Sequence, residues 1–437
     1  MRIYPTIITA LALVLPRSAA AQEPLRLSLA DALALAADHH PAAMAAREER
    51  RAREADVLGT SVAYLPRVAV ELGVVRSDDP VAAFGTKLRQ GRFAQPDFAL
   101  DALNFPDPVT DVGTTLSLEQ PIFQPDALLR RRAARAGARA GRLSEERTAQ
   151  VVAFDVIRGY LGARLAADRV TVLEESLEAA RRTLTQVERL RGEGMVTVVD
   201  AQLARSRVSE LEASLASARA GADASTDLVL ELVGLEPGRP VALTDSLVLP
   251  AGVPGDSTNR ADLAALGAAL QAQEANVLRA RSQWIPSLGA FGNLSWHDQD
   301  FGVGVGPRHW TVGVALRWTI FQGLSDVGAL RRAEADRAAA RSRLEAAERR
   351  AHSEARAAAA DQEAAEAAYH AAEAALMQAS TAARAADARY SEGASTISEL
   401  LAVRAAESLQ RLARAQALYQ ARVAGAALVL ARGGTPR

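Results

Sequence analysis

Two periodicities divide the chain. Val68, Val70, Leu72 and Val74 alternate with Arg67, Ala69 and Glu71. The same period of two runs through "WTVGVALRWTIF", where Trp310, Val312, Val314, Leu316, Trp318 and Ile320 share one face. Thr311, Gly313, Ala315, Arg317 and Thr319 share the other. Such alternation predicts strands with one apolar and one wet face. Four are expected, over 64–75, 112–121, 285–296 and 310–321. Elsewhere apolar or small residues step by four and three, as in Ala340, Leu344, Ala347 and Ala351, and again in Leu401, Ala405, Ser408, Leu412, Ala415 and Tyr419. This is a heptad-like seam whose alanines permit close helix approach. Asp126 to Leu190 and Asp326 to Tyr390 hold few breakers. About 65 helical residues would span about 100 Å.

Punctuation fixes where these patterns stop. Ser28 with Asp31 reads as a capping box opening a helix that continues to about Leu58. Asn259 with Asp262 reads the same way before a second helix. Tyr64-Leu65-Pro66 and Trp284-Ile285-Pro286 end the two helices, because the residue before proline avoids the helical region. Two glycine breaks interrupt the long helical runs: "EGMVTVVDAQLAR" from Glu193 and "EGASTISELLAVR" from Glu392. One offset of 199 residues carries Gly194 to Gly393, Thr197 to Thr396, Asp200 to Glu399 and Arg205 to Arg404.

The repeat reaches beyond these breaks. "AYLPRVAVELGVV" is similar to "QWIPSLGAFGNLSW", and "LEQPIFQ" to "LRWTIFQ". Each half reads helix, strand, loop, strand, long helix, glycine break, helix, which implies a duplicated architecture. The first repeat is expected over 22–233 with its turn at 191–198, and the second over 260–437 with its turn at 391–396. A Pro- and Gly-rich linker occupies 234–259. The loop between the first two strands, over 76–111, is long, and its counterpart in the second half is short.

Composition narrows the function. A formal net charge of −1 with 24% charged residues argues against a general nucleic-acid binder. The chain has no cysteine, which excludes disulfides, thiolate metal sites and lipid attachment to a cysteine. "MRIYPTIITALALVLPRSAAAQEP" has a charged start, a short apolar core and an A-x-A site. It predicts a secretory signal over 1–21 and an unlipidated mature start at Gln22. No H-E-x-x-H, G-x-S-x-G or P-loop is present, and the adjacent His39 and His40 sit beside Pro41 at a helix bend, a surface feature. These features predict no enzyme, no cofactor and no metal site.

The alternating strands raise a closure problem. Trp310 and Trp318 stand about 26 Å apart by strand rise, a separation that suits two aromatic girdles on a membrane barrel, with Trp296 as a further girdle residue. Four strands cannot close a barrel, so several chains must share one. A soluble periplasmic coiled-coil adaptor or scaffold would share the helices and the signal. It would not need four alternating strands with Trp at two levels.

These residues carry a resemblance. "LSLADALALAADHHP", the two helix-x-Pro-strand junctions, the paired "IFQ" strand ends and above all "GMVTVVDAQLAR" with "GASTISELLAVR" resemble the TolC-like outer-membrane efflux proteins, over essentially the whole mature chain. The resemblance implies a mostly helical homotrimer. Each protomer would give four strands to a shared 12-stranded β-barrel in the outer membrane and long antiparallel helices to an α-barrel across the periplasm. It implies an exit duct that docks a periplasmic adaptor (membrane fusion) protein and an inner-membrane transporter, contacts outer-membrane lipid and exports small molecules or proteins.

The glycine breaks then become the periplasmic tip. Locally, Gly194 and Gly393 relieve a chain reversal, Thr197 and Thr396 cap the returning helices, and Asp200 and Glu399 favour the helix N-termini. The resemblance adds a pore gate. Three copies of Glu399 would form a carboxylate ring, which favours cations. A second acid of the family pattern is replaced here by Ala402, so the ring is single. Tyr390 matches a tyrosine that latches the closed mouth, with Asp200 as its expected hydrogen-bond partner. Arg205 and Arg404 lie near tip turns where the resemblance places adaptor docking.

Overall fold

A computed structural model describes residues 24–245, 260–300 and 306–436. The expected signal over 1–21, its cleavage at Ala21 and most of the linker lie outside the described residues. The chain opens with β1 (Leu25–Leu27), α1 (Leu29–His39) and α2 (Pro41–Gly59), followed by β2 (Arg67–Ser77). Two short helices, α3 (Pro80–Arg89) and α4 (Leu100–Asn104), precede β3 (Val109–Phe123). The long α5 (Pro125–Gly192) turns back as α6 (Val198–Leu232), and β4 (Val241–Leu243) follows. The second half contains α7 (Ala261–Arg281), β5 (Ser287–Asp298), β6 (Arg308–Arg317), α8 (Ser325–Ser391) and α9 (Ile397–Ala431).

Local chemistry sets the helix starts. Ser28 Oγ accepts from the Asp31 amide at 3.1 Å, and Asp31 Oδ2 accepts from the Ser28 amide at 3.3 Å. The single helix expected through Leu58 is two helices. His40 is extended before Pro41, as the proline ring demands, and its Nδ1 accepts from the Ala42 amide at 3.1 Å to start α2. The second expected cap is not observed. Asn259 lies outside the described residues, and Asp262 instead receives the Arg260 guanidinium at 3.0 and 2.7 Å.

The four long strands form an antiparallel sheet in the order β2-β3-β5-β6. Its register places Val70 opposite Leu116, Leu116 opposite Leu294, and Leu294 opposite Trp310. One residue along, Ala69, Ser117, Asn293 and Thr311 align on the opposite face. The sheet thus has an apolar and a polar side, as period-two alternation requires. Its edges, β2 and β6, each pair on one side only. Trp310 is 75% exposed on the apolar side. β6 stops at Arg317, because its partner β5 begins at the opposing Ser287. Trp318 therefore lies past the strand, where its indole N–H donates to the Trp284 carbonyl at 3.2 Å. The even strand rise expected from Trp310 to Trp318 is not maintained.

The segment between β2 and β3 is a folded cap rather than an open loop. Phe84, Phe93 and Phe98 stack edge to face at 4.8 and 5.0 Å. The buried Gln90 amide donates to the carbonyls of Thr110 and Asp298 at 2.8 and 2.9 Å, fastening the segment to the ends of β3 and β5.

The helices form a wall. α5 packs against α2, α6, α7 and α9, and α8 packs against α7 and α9. Small parallel strands β1 and β4 and helix α1 lie against the middle of α5. Part of the expected linker is therefore ordered as β4. Tyr160, fully buried on α5, donates to the Leu27 carbonyl at 2.9 Å and accepts from the Asp245 amide at 3.2 Å. Burial is the main cause that raises its phenol pKa. Among the described residues no helix is long and apolar enough to cross a membrane.

Replacing Tyr160 by Phe leaves the Asp245 amide without its acceptor, at a cost of about 1–3 kcal/mol. Hydrogen exchange should quicken at Leu25–Leu27 and Val241–Leu243 while exchange at the glycine turns is unchanged. Unaltered exchange in those strands would show that the hydroxyl does not hold this layer.

Candidate functional site

The far ends of the two long hairpins, α5–α6 and α8–α9, bring the expected tip residues together. Gly194 and Gly393 adopt φ of +77° and +74°, the left-handed region that side chains resist. Past each glycine the amide reaches back over the last helical turn: Met195 to the Leu190 carbonyl at 2.9 Å, and Ala394 to the Arg389 carbonyl at 2.8 Å. These bonds satisfy carbonyls that a helix end otherwise leaves open. Thr197 Oγ1 then accepts from the Asp200 amide, and Thr396 Oγ1 from the Glu399 amide, each at 3.3 Å.

The two turns share a backbone and differ in their acids. Asp200 Oδ2 folds back onto its own cap, accepting from the Thr197 amide at 2.8 Å and from the Thr197 hydroxyl at 2.7 Å. The hydroxyl bond first, and the amide bond after it, lower the Asp200 pKa. Glu399, one methylene longer, reaches outward instead. It accepts from Arg389 Nη1 at 3.2 Å and from Ser395 Oγ at 2.8 Å. Arg389 also donates to the Ala394 carbonyl at 3.1 Å, so one guanidinium ties the turn to the carboxylate. Sequence reasoning missed Arg389. The repeat conceals it, because the equivalent residue of the first half is Leu190.

Arg205 and Arg404 are engaged inside their own hairpins. Arg205 Nε and Nη2 hold Glu188 Oε1 at 3.1 and 2.8 Å. Arg404 Nε meets Asp387 Oδ1 at 3.0 Å, and its Nη2 bonds Oδ2. Each acid stands 17 residues before its arginine, and Glu188 and Asp387 are themselves related by the 199-residue offset. The repeat thus duplicates an ion-pair clamp across each hairpin, a pattern legible in the sequence once the offset is applied to the acids.

An apolar cluster joins the hairpins. Val187, Ala201, Ala204, Ala386, Ile397 and Leu400 are buried together, and Tyr390 packs against them. The Tyr390 hydroxyl is buried and has no hydrogen-bond partner among the described residues. Burial first, and the Asp200 charge after it, raise its pKa. The expected Tyr390–Asp200 hydrogen bond is therefore not formed here, and the bonds to Thr197 explain why. At the sheet, Trp296 shares the apolar face with Trp310 near the loop end, and Trp318 stands past the opposite end.

Asp200 also makes the first cap pH-sensitive. Its folded pKa lies below the unfolded value of about 3.9. The stabilisation is therefore present above about pH 4 and is lost as pH falls through the folded pKa. Amide exchange over Val198 to Gln202, corrected for its intrinsic pH dependence, should accelerate on acidification, and Asp200→Asn should remove most of that change. A pH response that survives in Asp200→Asn would assign it to another group.

Comparisons with known proteins address the whole arrangement. The family described as "Outer membrane efflux protein" matches residues 32–234 and 257–434. The outer membrane protein VceC of Vibrio cholerae is similar in structure, with a TM-score of 0.74 at 17% identity, covering 93% of this chain and 96% of that one. A membrane protein from Pseudomonas aeruginosa gives 0.78 at 19%, covering 93% of each chain. The CmeC outer membrane channel of Campylobacter jejuni gives 0.75 at 18%, covering 94% and 86%. No curated protein matches. At these identities the solved structures speak for the fold, while the family match spans both halves of the repeat. The chain belongs to the outer membrane efflux protein family.

Proposed function

We propose that three copies of this chain close a 12-stranded barrel in the outer membrane and form an exit duct with a periplasmic helical wall. The observation that carries the reading is the sheet with one exposed apolar face, one polar face and two unpaired edges. Unpaired strand edges are not tolerated in the hydrocarbon of a membrane, so the sheet must close on other copies. Two copies would give eight strands, a barrel whose interior side chains can fill; three leave a lumen. Closure in register puts Asn293, Thr311 and the Arg67–Glu119 pair toward that lumen. It puts Trp296, Trp310 and Trp318 toward lipid and its interfaces. α8, at the free side of the helical wall, buries only Asp326, Ala351, Ala383 and Ala386 among its described residues. A neighbouring protomer would cover its remaining length.

A soluble adaptor or scaffold is the alternative. It would leave Val68, Val70, Leu72, Trp310 and Val312 in water as one contiguous apolar face, which soluble monomers avoid. The duct reading includes a periplasmic adaptor at the tip turns and an inner-membrane pump that selects the small-molecule or protein cargo. Both partners rest on family membership. In this reading Glu399 makes the carboxylate ring of the mouth, and each copy carries Arg389 beside it.

The protein should leave membranes only with detergent and run as a heat-modifiable trimer; a freely soluble monomer overturns the duct. In planar bilayers Glu399→Ala should weaken block by divalent cations and Arg389→Ala should strengthen it. An exposed pair of this kind is worth up to about 1 kcal/mol, or about fivefold. Block that is unchanged in both variants would remove the ring. Tyr390→Phe should raise resting conductance if the hydroxyl latches the assembled mouth, and equal conductance would leave the residue a packing role alone.

A further inference from the structure

α5 carries an exposed line of four arginines below the sheet, Arg132, Arg135, Arg139 and Arg142. Their spacing of three and four residues puts them on one face of the helix. None has an ion-pair partner among the described residues, and Glu146, the first acid further along the line, makes no ion pair with Arg142. Like charges at this spacing repel one another, so the stripe works against helix stability unless something anionic covers it.

The surroundings say which side of the wall it faces. α2 meets α5 at Arg131 and Gly141, and α7 meets it at Asp126 and Arg147. Both flanks of α5 at this level are therefore covered, and the stripe occupies a face between them rather than a free edge of the protomer. The same three-and-four spacing continues through Ala149, Ala153, Val156 and Tyr160, the line against which α1 packs. Stripe and α1 layer therefore share a side of the wall. If the chain forms a duct, a layer on the inner side would fill the lumen, so this side is the outer one.

Distance along the helix selects the partner. Arg132 lies nine residues beyond Phe123, the last residue of β3, and Arg142 nineteen. At 1.5 Å per residue they stand about 14 and about 28 Å past the sheet. A headgroup layer is only about 5–8 Å deep on each side. The stripe thus runs mostly through the aqueous space beneath the membrane. We propose that it binds the carboxylates of the cell-wall peptidoglycan, an anionic polymer that would surround a duct at this level. This inference rests on the duct reading.

The test is co-sedimentation of the detergent-solubilised full-length mature protein with purified sacculi. The wild type should sediment at low salt and be released at about 1 M, where the screening length falls to about 3 Å. Each arginine near an anionic surface contributes about fivefold. The variant R132Q/R135Q/R139Q/R142Q should therefore lose more than about tenfold in binding while remaining a trimer of equal or higher thermal stability, since it removes like-charge repulsion. Equal sedimentation of the variant overturns the proposal. So does equal binding to sacculi whose carboxylates have been amidated, or arginine-dependent binding found only with phosphatidylglycerol bilayers. A soluble monomer in the same preparation fails the duct reading itself, whereas an intact trimer that ignores sacculi fails the stripe alone.

Discussion

Everything in this chain answers to two unpaired strand edges. Among the described residues β2 and β6 each pair on one side only, and in the proposed barrel lipid could not satisfy the backbone groups of their free edges. In the proposed duct, closure in register would also fix which residues can be polar. Because the side-chain period along a strand is two, Val70, Leu116, Leu294 and Trp310 must stay on one side together. A slip of one residue would turn Glu71, Thr115, Ser295 and Thr311 toward the apolar exterior. The helical wall is tied to the same sheet: α5 begins at Pro125, right after β3 ends at Phe123, and α8 begins at Ser325, a short segment after β6 ends at Arg317.

Duplication explains the second half of the architecture and then breaks down where the halves have different tasks. Glycine, threonine and the hairpin ion pair recur at a constant offset because a helix that reverses always needs a left-handed residue, a cap and something to hold its two arms. The acid after the cap is freer to vary. Asp200 is short enough to close its own capping box, whereas Glu399 passes its threonine and takes Arg389. One methylene thus changes a carboxylate from a local cap into a charged group reaching across the turn.

Much of this was legible in the residues because it is local. Alternation announced the strands, Ser28 with Asp31 announced a cap, and the two glycines announced the reversals. The misses are those where a distant partner decides. His40 before Pro41 announced a bend, but the run of helix formers on either side hid that it is a full break between two helices. Trp318 continues the alternating pattern but lies past the strand because β5 has no residue left to pair with it. Val241–Leu243 became a strand only because Leu25–Leu27 lies beside it, more than two hundred residues away in sequence. The segment between β2 and β3 lacks any period, and its order comes from three phenylalanines and one buried glutamine whose acceptors sit on two strands.

The clamps constrain how the tip can change shape. Arg205 joins α6 to α5, and Arg404 joins α9 to α8, so each hairpin is fastened within itself by a two-nitrogen contact to a carboxylate. Between the hairpins the tip is held by apolar packing around Val187, Ile397 and Leu400, with the unbonded Tyr390 hydroxyl at its margin. Apolar contacts have no required direction and can slide, whereas a paired guanidinium must stay aligned with its acid. A displacement of one hairpin past the other at the tip therefore keeps both arginine clamps, but farther along the helices it must break the Arg411–Glu175 pair and the Ser176–Ser408 hydroxyl contact, each at 2.9 Å. Separating the arms of either hairpin breaks a clamp. The buried Tyr390 hydroxyl, unbonded among the described residues, is a polar group at this boundary whose bonding such a displacement can improve.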